Sequence, residues 1–150
     1  MAAAAADRGT MITVDDGGDL DLVATAICRT ARQGSCIYLE GAIGAGKTTL
    51  VQACARWLGC VAPVTSPTFA LAHLYDGTPP IAHLDLYRLG AANNRETADL
   101  AAYLSEDVIG FVEWPEYGLA WLPEATCHVQ IELEAGGSRR FVISTPAGRP

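Results

Sequence analysis

Lysine is almost missing from this 150-residue chain: nine of its ten cationic side chains are arginine, and Lys47 stands alone. A single lysine, preceded by Gly46, rules out the N-K-x-D signature that reads guanine in regulatory GTPases. Positive charge as a whole is scarce. The net charge of -7 and the sequence pI of ≈ 4.8 argue against a chain that grips nucleic acid directly, because such binding needs a basic face. No apolar run comes near the roughly 18 residues that a membrane helix requires. The start, Met1 to Ala6, has no basic flank and is too short for a signal-peptide core. Cys28, Cys36, Cys54, Cys60 and Cys127 show no C-x-x-C spacing, and their neighbours are largely apolar, so they read as reduced, mostly buried thiols of a cytoplasmic protein. Between Arg56 and Arg139 only Arg88 and Arg95 occur, a thin supply for the arginine-rich lid of a small-molecule kinase.

Half of the residues are apolar, enough for a packed core in a chain of this length. Strands are expected over residues 11–14, 35–40, 69–75, 81–87, 108–114, 126–134 and 139–144, and helices over 20–32, 48–58 and 95–104. This alternation predicts an α/β fold, a three-layer domain around a mixed, largely parallel central sheet, and the glycine-rich stretch at residues 41–49 makes it P-loop NTPase-like. One domain is expected over residues 11–145, with loose tails over 1–10 and 146–150.

The lone lysine lies in Gly41-Ala42-Ile43-Gly44-Ala45-Gly46-Lys47-Thr48-Thr49, which satisfies G-x-x-x-x-G-K-[ST] between an expected strand and an expected helix. Glycines let successive amides point into one concavity for anionic oxygens, and the helix start adds its positive dipole end. The motif assigns nucleotide contact to Gly41, Gly44, Ala45, Gly46, Lys47, Thr48 and Thr49, with Lys47 bridging the β- and γ-phosphates and the Thr48 hydroxyl on Mg²⁺. Carboxylates at strand ends must then hold the metal and position the nucleophile. Asp85 and Glu113 close two apolar strands, at the end where open α/β sheets bind ligands.

Weaker signals surround them. Ser66-Pro67-Thr68 reads as a plain turn or as a switch loop on which Thr68 senses a phosphate. Trp114 reads as a packing residue or a stacking surface, and His83 as an internally satisfied strand histidine. Arg139 and Arg140 read as a charged strand edge or as nucleotide contacts, and the contact is assigned to Arg140.

Four motifs occur in order: Gly41 to Thr49, Ser66-Pro67-Thr68-Phe69, His83-Leu84-Asp85-Leu86-Tyr87-Arg88 and Val112-Glu113-Trp114-Pro115. Together they resemble the TsaE (YjeE) family, the P-loop ATPases of bacterial tRNA threonylcarbamoyladenosine synthesis, over about residues 12 to 145. The resemblance implies ATP or ADP with Mg²⁺ on Thr48 and Glu113, a role for Asp85 in hydrolysis, and Thr68 on a switch-like loop. It implies TsaD and TsaB as partners, tRNA met only through them, and weak hydrolysis that resets their complex. A small-molecule P-loop kinase is the alternative. Where the family usually carries an acidic residue after the first glycine of the loop, this chain carries Ala42.

Overall fold

In a computed structural model, residues 9–61, 71–92 and 100–146 are described. The strands are β1 (Thr10–Val14), β2 (Cys36–Gly41), β3 (Ala72–Tyr75), β4 (Ile81–Asp85), β5 (Ile109–Glu113), β6 (Cys127–Leu133) and β7 (Arg139–Ser144). The helices are α1 (Asp21–Cys28), α2 (Lys47–Trp57), α3 (Tyr87–Ala92) and α4 (Leu100–Tyr103), with a 3₁₀ turn at Pro115–Tyr117. The seven strands form one sheet in the order β1-β7-β6-β2-β5-β4-β3. The four inner strands β6, β2, β5 and β4 run parallel, while β7, β1 and β3 add antiparallel edges. The expected mixed α/β sheet is therefore present.

Strand β2 shows why the centre is parallel. Its residues 36–39 are all buried, and they alternate between two cores. Ile37 and Leu39 join Val23, Ile27, Leu50, Val51 and Phe111 on the face covered by α1 and α2. Cys36 and Tyr38 join Leu84, Leu86, Leu89 and Val112 on the opposite face, which α3 covers. Cys28, Cys36, Cys54 and Cys127 lie inside these cores.

Two boundaries differ from the sequence reading. Helix α1 stops at Cys28 instead of running to residue 32. Beyond it the Thr30 hydroxyl donates to the Ile27 carbonyl (3.5 Å) and the Ser35 hydroxyl accepts the Arg32 amide (2.9 Å), local bonds that compete with further helix. Strand β4 ends at Asp85, so Tyr87 and Arg88 belong to α3 and not to a strand end. The Asp85 carboxylate accepts the Tyr87 amide at 3.0 Å, which starts that helix. Residues 62–70 and 93–99, which hold the expected Ser66-Pro67-Thr68 loop and the start of the helix expected over 95–104, lie outside the described residues, as do 1–8 and 147–150.

Register fixes the functional edge. Asp85 pairs with Glu113 across β4 and β5, and Leu39 pairs with Glu113 across β2 and β5. The C-terminal ends of the adjacent parallel strands β2, β5 and β4 are thus level, and the glycine-rich loop leaves from β2, beside β5.

Phe111 is fully buried on the α2 face of β5, two residues before Glu113. Phe111→Ala is expected to cost about 3–5 kcal/mol. Urea unfolding followed by circular dichroism should show a lower midpoint with an unchanged slope.

Candidate active site

The loop after β2 owes its shape to glycines with positive φ. Gly44 has φ 78° and Gly46 has φ 100°, so the intervening amides turn into a common concavity ahead of α2. Gly46 precedes the first residue of α2, and its carbonyl accepts the Leu50 amide at 3.0 Å. A Cβ on Gly46 would lie 2.3 Å from Nη1 of Arg139, so a guanidinium rests directly on this part of the loop. The backbone angle favours glycine at 46, and a Cβ there would also push the Arg139 guanidinium off the loop.

Lys47 is 5% exposed. Its ammonium donates to the carbonyls of Gly41 (2.7 Å) and Ala42 (2.9 Å), and it sits 4.2 Å from the centre of the Trp114 ring. Burial lowers its pKa, while Glu113, Asp85 and Glu116 oppose that shift. Ala42, where the resembled family has an acid, takes part through its carbonyl, which needs no side chain.

Glu113 is 3% exposed at the end of β5. Its Oε1 accepts the Thr48 hydroxyl at 2.7 Å and lies 2.9 Å from Nε2 of His83. Asp85 stands beside it, one strand over. A cavity of ≈ 430 Å³ opens onto Gly44, Gly46, Lys47, Thr48, Asp85 and Glu113, with Tyr87 and Trp114 as an aromatic wall. Trp114 holds φ 57° and ψ 50°, a left-handed conformation that costs a non-glycine residue about 1–3 kcal/mol and that turns the chain from β5 into the 3₁₀ turn. Tyr87 and Tyr117 flank its ring at centroid distances of 5.0 and 6.1 Å.

Lys47, Thr48, Asp85 and Glu113 are thus brought together as the sequence reading expected, with Gly41 to Thr49 as the loop beneath them. Thr68 lies outside the described residues. Arg140 is placed elsewhere: its guanidinium bonds Glu132 and reaches Glu134 at 3.5 Å. The reason is alternation along β7. Phe141 and Ile143 pack in the core under α1 and α2, which puts Arg139 on that face with the loop and Arg140 on the other. His83 carries more than the sequence reading assigned to it. The signal was its place two residues before Asp85 on one strand, which puts both side chains on one face.

Thr48 and Glu113 present two hard oxygen donors side by side at a helix start, a set that suits Mg²⁺ better than a soft metal. Cationic loop, oxygen donors and an adjacent carboxylate form an arrangement able to hold a phosphate chain and a divalent ion.

Comparison with known proteins agrees with this geometry. The family described as threonylcarbamoyl adenosine biosynthesis protein TsaE matches residues 14–141. The tRNA threonylcarbamoyladenosine biosynthesis protein TsaE of Nostoc sp. is 44% identical over 143 residues, 92% of this chain and 87% of that protein. The protein of the same name from Treponema pallidum is 36% identical over 124 residues, 80% of this chain and 89% of that protein. The crystal structure of YdiB from Bacillus subtilis superposes with a TM-score of 0.73 at 23% identity, covering 94% of this chain and 88% of that one, a likeness of fold.

The Asp85 carboxyl is raised above the usual range, first by burial and further by Glu113, against the Tyr87 amide, His83 and Lys47, which lower it. The folded chain therefore binds this proton more tightly than the unfolded chain. The group favours folding below the ordinary carboxylate range and loses that contribution as pH rises through its raised pKa. Asp85→Asn should raise the thermal midpoint at pH 7, and the gain should fade on approach to about pH 3. Calorimetric scans across this range check it.

Proposed function

The chain belongs to the TsaE family, and from that premise we propose that it binds and hydrolyses ATP with Mg²⁺ as the ATPase of the machinery that makes threonylcarbamoyladenosine at position 37 of tRNA. In this reading it works in the cytoplasm and resets a complex of TsaB and TsaD between cycles. The observation that carries the reading is the convergence of Lys47, Thr48, Asp85 and Glu113 on one cavity above the glycine-rich loop. The relatives that match along most of their length are named for biosynthesis of this tRNA modification, which supplies the pathway.

The chain's own groups divide the work. Loop amides and the Lys47 ammonium bind the phosphate oxygens, and Lys47 shifts from the Gly41 and Ala42 carbonyls onto them. Thr48 and Glu113 would hold Mg²⁺, whose charge, when it is bound, offsets the charge spread over the phosphates. The Thr48 hydroxyl already gives its proton to Glu113, which leaves its lone pairs free to face a cation. Asp85, which lines the same cavity, would accept the proton of a water attacking the terminal phosphate, and its raised pKa brings it nearer to a proton acceptor's working range. Thr68 is assigned to a loop that senses the terminal phosphate.

Among the described residues that line the cavity there is no arginine. Without a guanidinium on the transferring group, hydrolysis by the isolated chain is slow and is stimulated by partners. The net charge of -7 leaves tRNA to those partners. Arg139, whose guanidinium rests on Gly46, would add a second cation to Lys47 for a phosphate or ribose beside the loop.

Lys47→Ala is expected to lower ATP turnover by about 10²–10³-fold, measured with and without added TsaB and TsaD. Turnover at the unaltered rate would overturn the ATPase reading. Arg139→Ala should weaken ADP binding by roughly tenfold, the size of one lost charge-assisted bond, while Arg140→Ala leaves it near the starting value. Calorimetric titration with ADP separates the two arginines.

A further inference from the structure

Among the described residues, one buried polar side-chain atom has no hydrogen-bond partner, and it is Nδ1 of His83. The ring is fully buried, opposite Phe111 in the β4–β5 register, and it reaches diagonally to Glu113 two residues further along β5. A carboxylate oxygen offers only lone pairs, so Nε2 must be the donor in the 2.9 Å contact. The bare Nδ1 agrees with that tautomer, since a lone pair without a partner costs less in a core than an N–H without one. Histidine is therefore held here by a single bond, and that bond is to the site's most buried carboxylate.

Both donors that hold Glu113, the Thr48 hydroxyl and the His83 ring, use Oε1. The carboxylate is pinned at one oxygen, and Glu113 is one of the residues that line the cavity. We propose that His83 is a positioning residue, which fixes the Glu113 carboxylate through Oε1 so that Oε2 is presented to a divalent cation on the phosphates. The assignment rests on the ATPase reading of the site. His83 touches neither phosphate nor cation; it acts through Glu113, as partners behind a metal ligand do. It differs in this from Asp85, which shares its strand face but borders the cavity itself.

The experiment is a titration of ADP binding by calorimetry, without Mg²⁺ and over a range of Mg²⁺, on the full chain. His83→Met keeps the bulk and removes the donor. His83→Gln keeps an amide N–H at the reach of Nε2, and His83→Asn keeps an amide too short to reach Glu113. The Mg²⁺ midpoint for nucleotide binding is expected to rise about 10–100-fold in the Met and Asn variants and to return most of the way in the Gln variant. Binding without Mg²⁺ should stay within about twofold throughout, because the loop and Lys47 are untouched. A midpoint unchanged in His83→Met or His83→Asn, or lost to the same degree in His83→Gln, would overturn the assignment while the ATPase reading stands. An unaltered chain that binds no nucleotide under any condition overturns the reading itself and the assignment with it.

Discussion

A carboxylate buried at the end of a parallel strand governs this structure. Glu113 is 3% exposed, and an ionised group taken from water at that depth is costly unless donors replace the water. The Thr48 hydroxyl and the His83 ring supply two, and the Lys47 ammonium lies close enough to feel its field. These groups come from two elements: Lys47 and Thr48 from the start of α2, and His83 from β4. The carboxylate therefore holds the helix that follows the glycine-rich loop against the two strands that face it. Its own position is set by register, since Leu39 and Asp85 flank Glu113 on the neighbouring strands. A slip of one residue in β5 would carry Glu113 to the face of Val112 and bring an apolar side chain under Thr48.

Most of this frame was legible in the sequence. The run of apolar residues from Cys36 to Leu39 implies a strand buried on both faces, and the structure divides those residues between two cores. The loop motif and the strand-end acids were legible for the same reason: each has a fixed place relative to an element whose period can be read. What escaped was set by pairing between distant segments. The choice between Arg139 and Arg140 depends on which face of β7 meets α2, and two adjacent arginines carry no signal of that kind. Phe141 and Ile143 do, because their alternate spacing marks the core face and assigns Arg139 to it. The end of β4 at Asp85 was hidden because the Asp85 side chain starts α3, a capping role that apolar periodicity does not register. His83 read as a core histidine because its partner lies 30 residues away on another strand.

The same frame explains why the chain keeps one lysine. An ammonium has three donors and a small head. Here two of the donors are taken by the carbonyls of Gly41 and Ala42 and the cation faces the Trp114 ring, inside a space walled by the loop. A guanidinium brings five donors in a rigid plane, and two carbonyls on adjacent residues with one ring face cannot satisfy them. Burial also lowers the lysine's pKa, against the pull of Glu113 and Asp85, so the ammonium is held by weak acceptors in a place that disfavours its charge. Phosphate oxygens are stronger acceptors than either carbonyl and bring full negative charge. On the proposed ATPase reading, the network that satisfies Lys47 in the free protein is therefore the one that a phosphate would displace. The left-handed backbone at Trp114 turns the chain so that its ring faces the ammonium. In a chain whose other cations are all arginine, the exception falls where charge must change partners in a confined space.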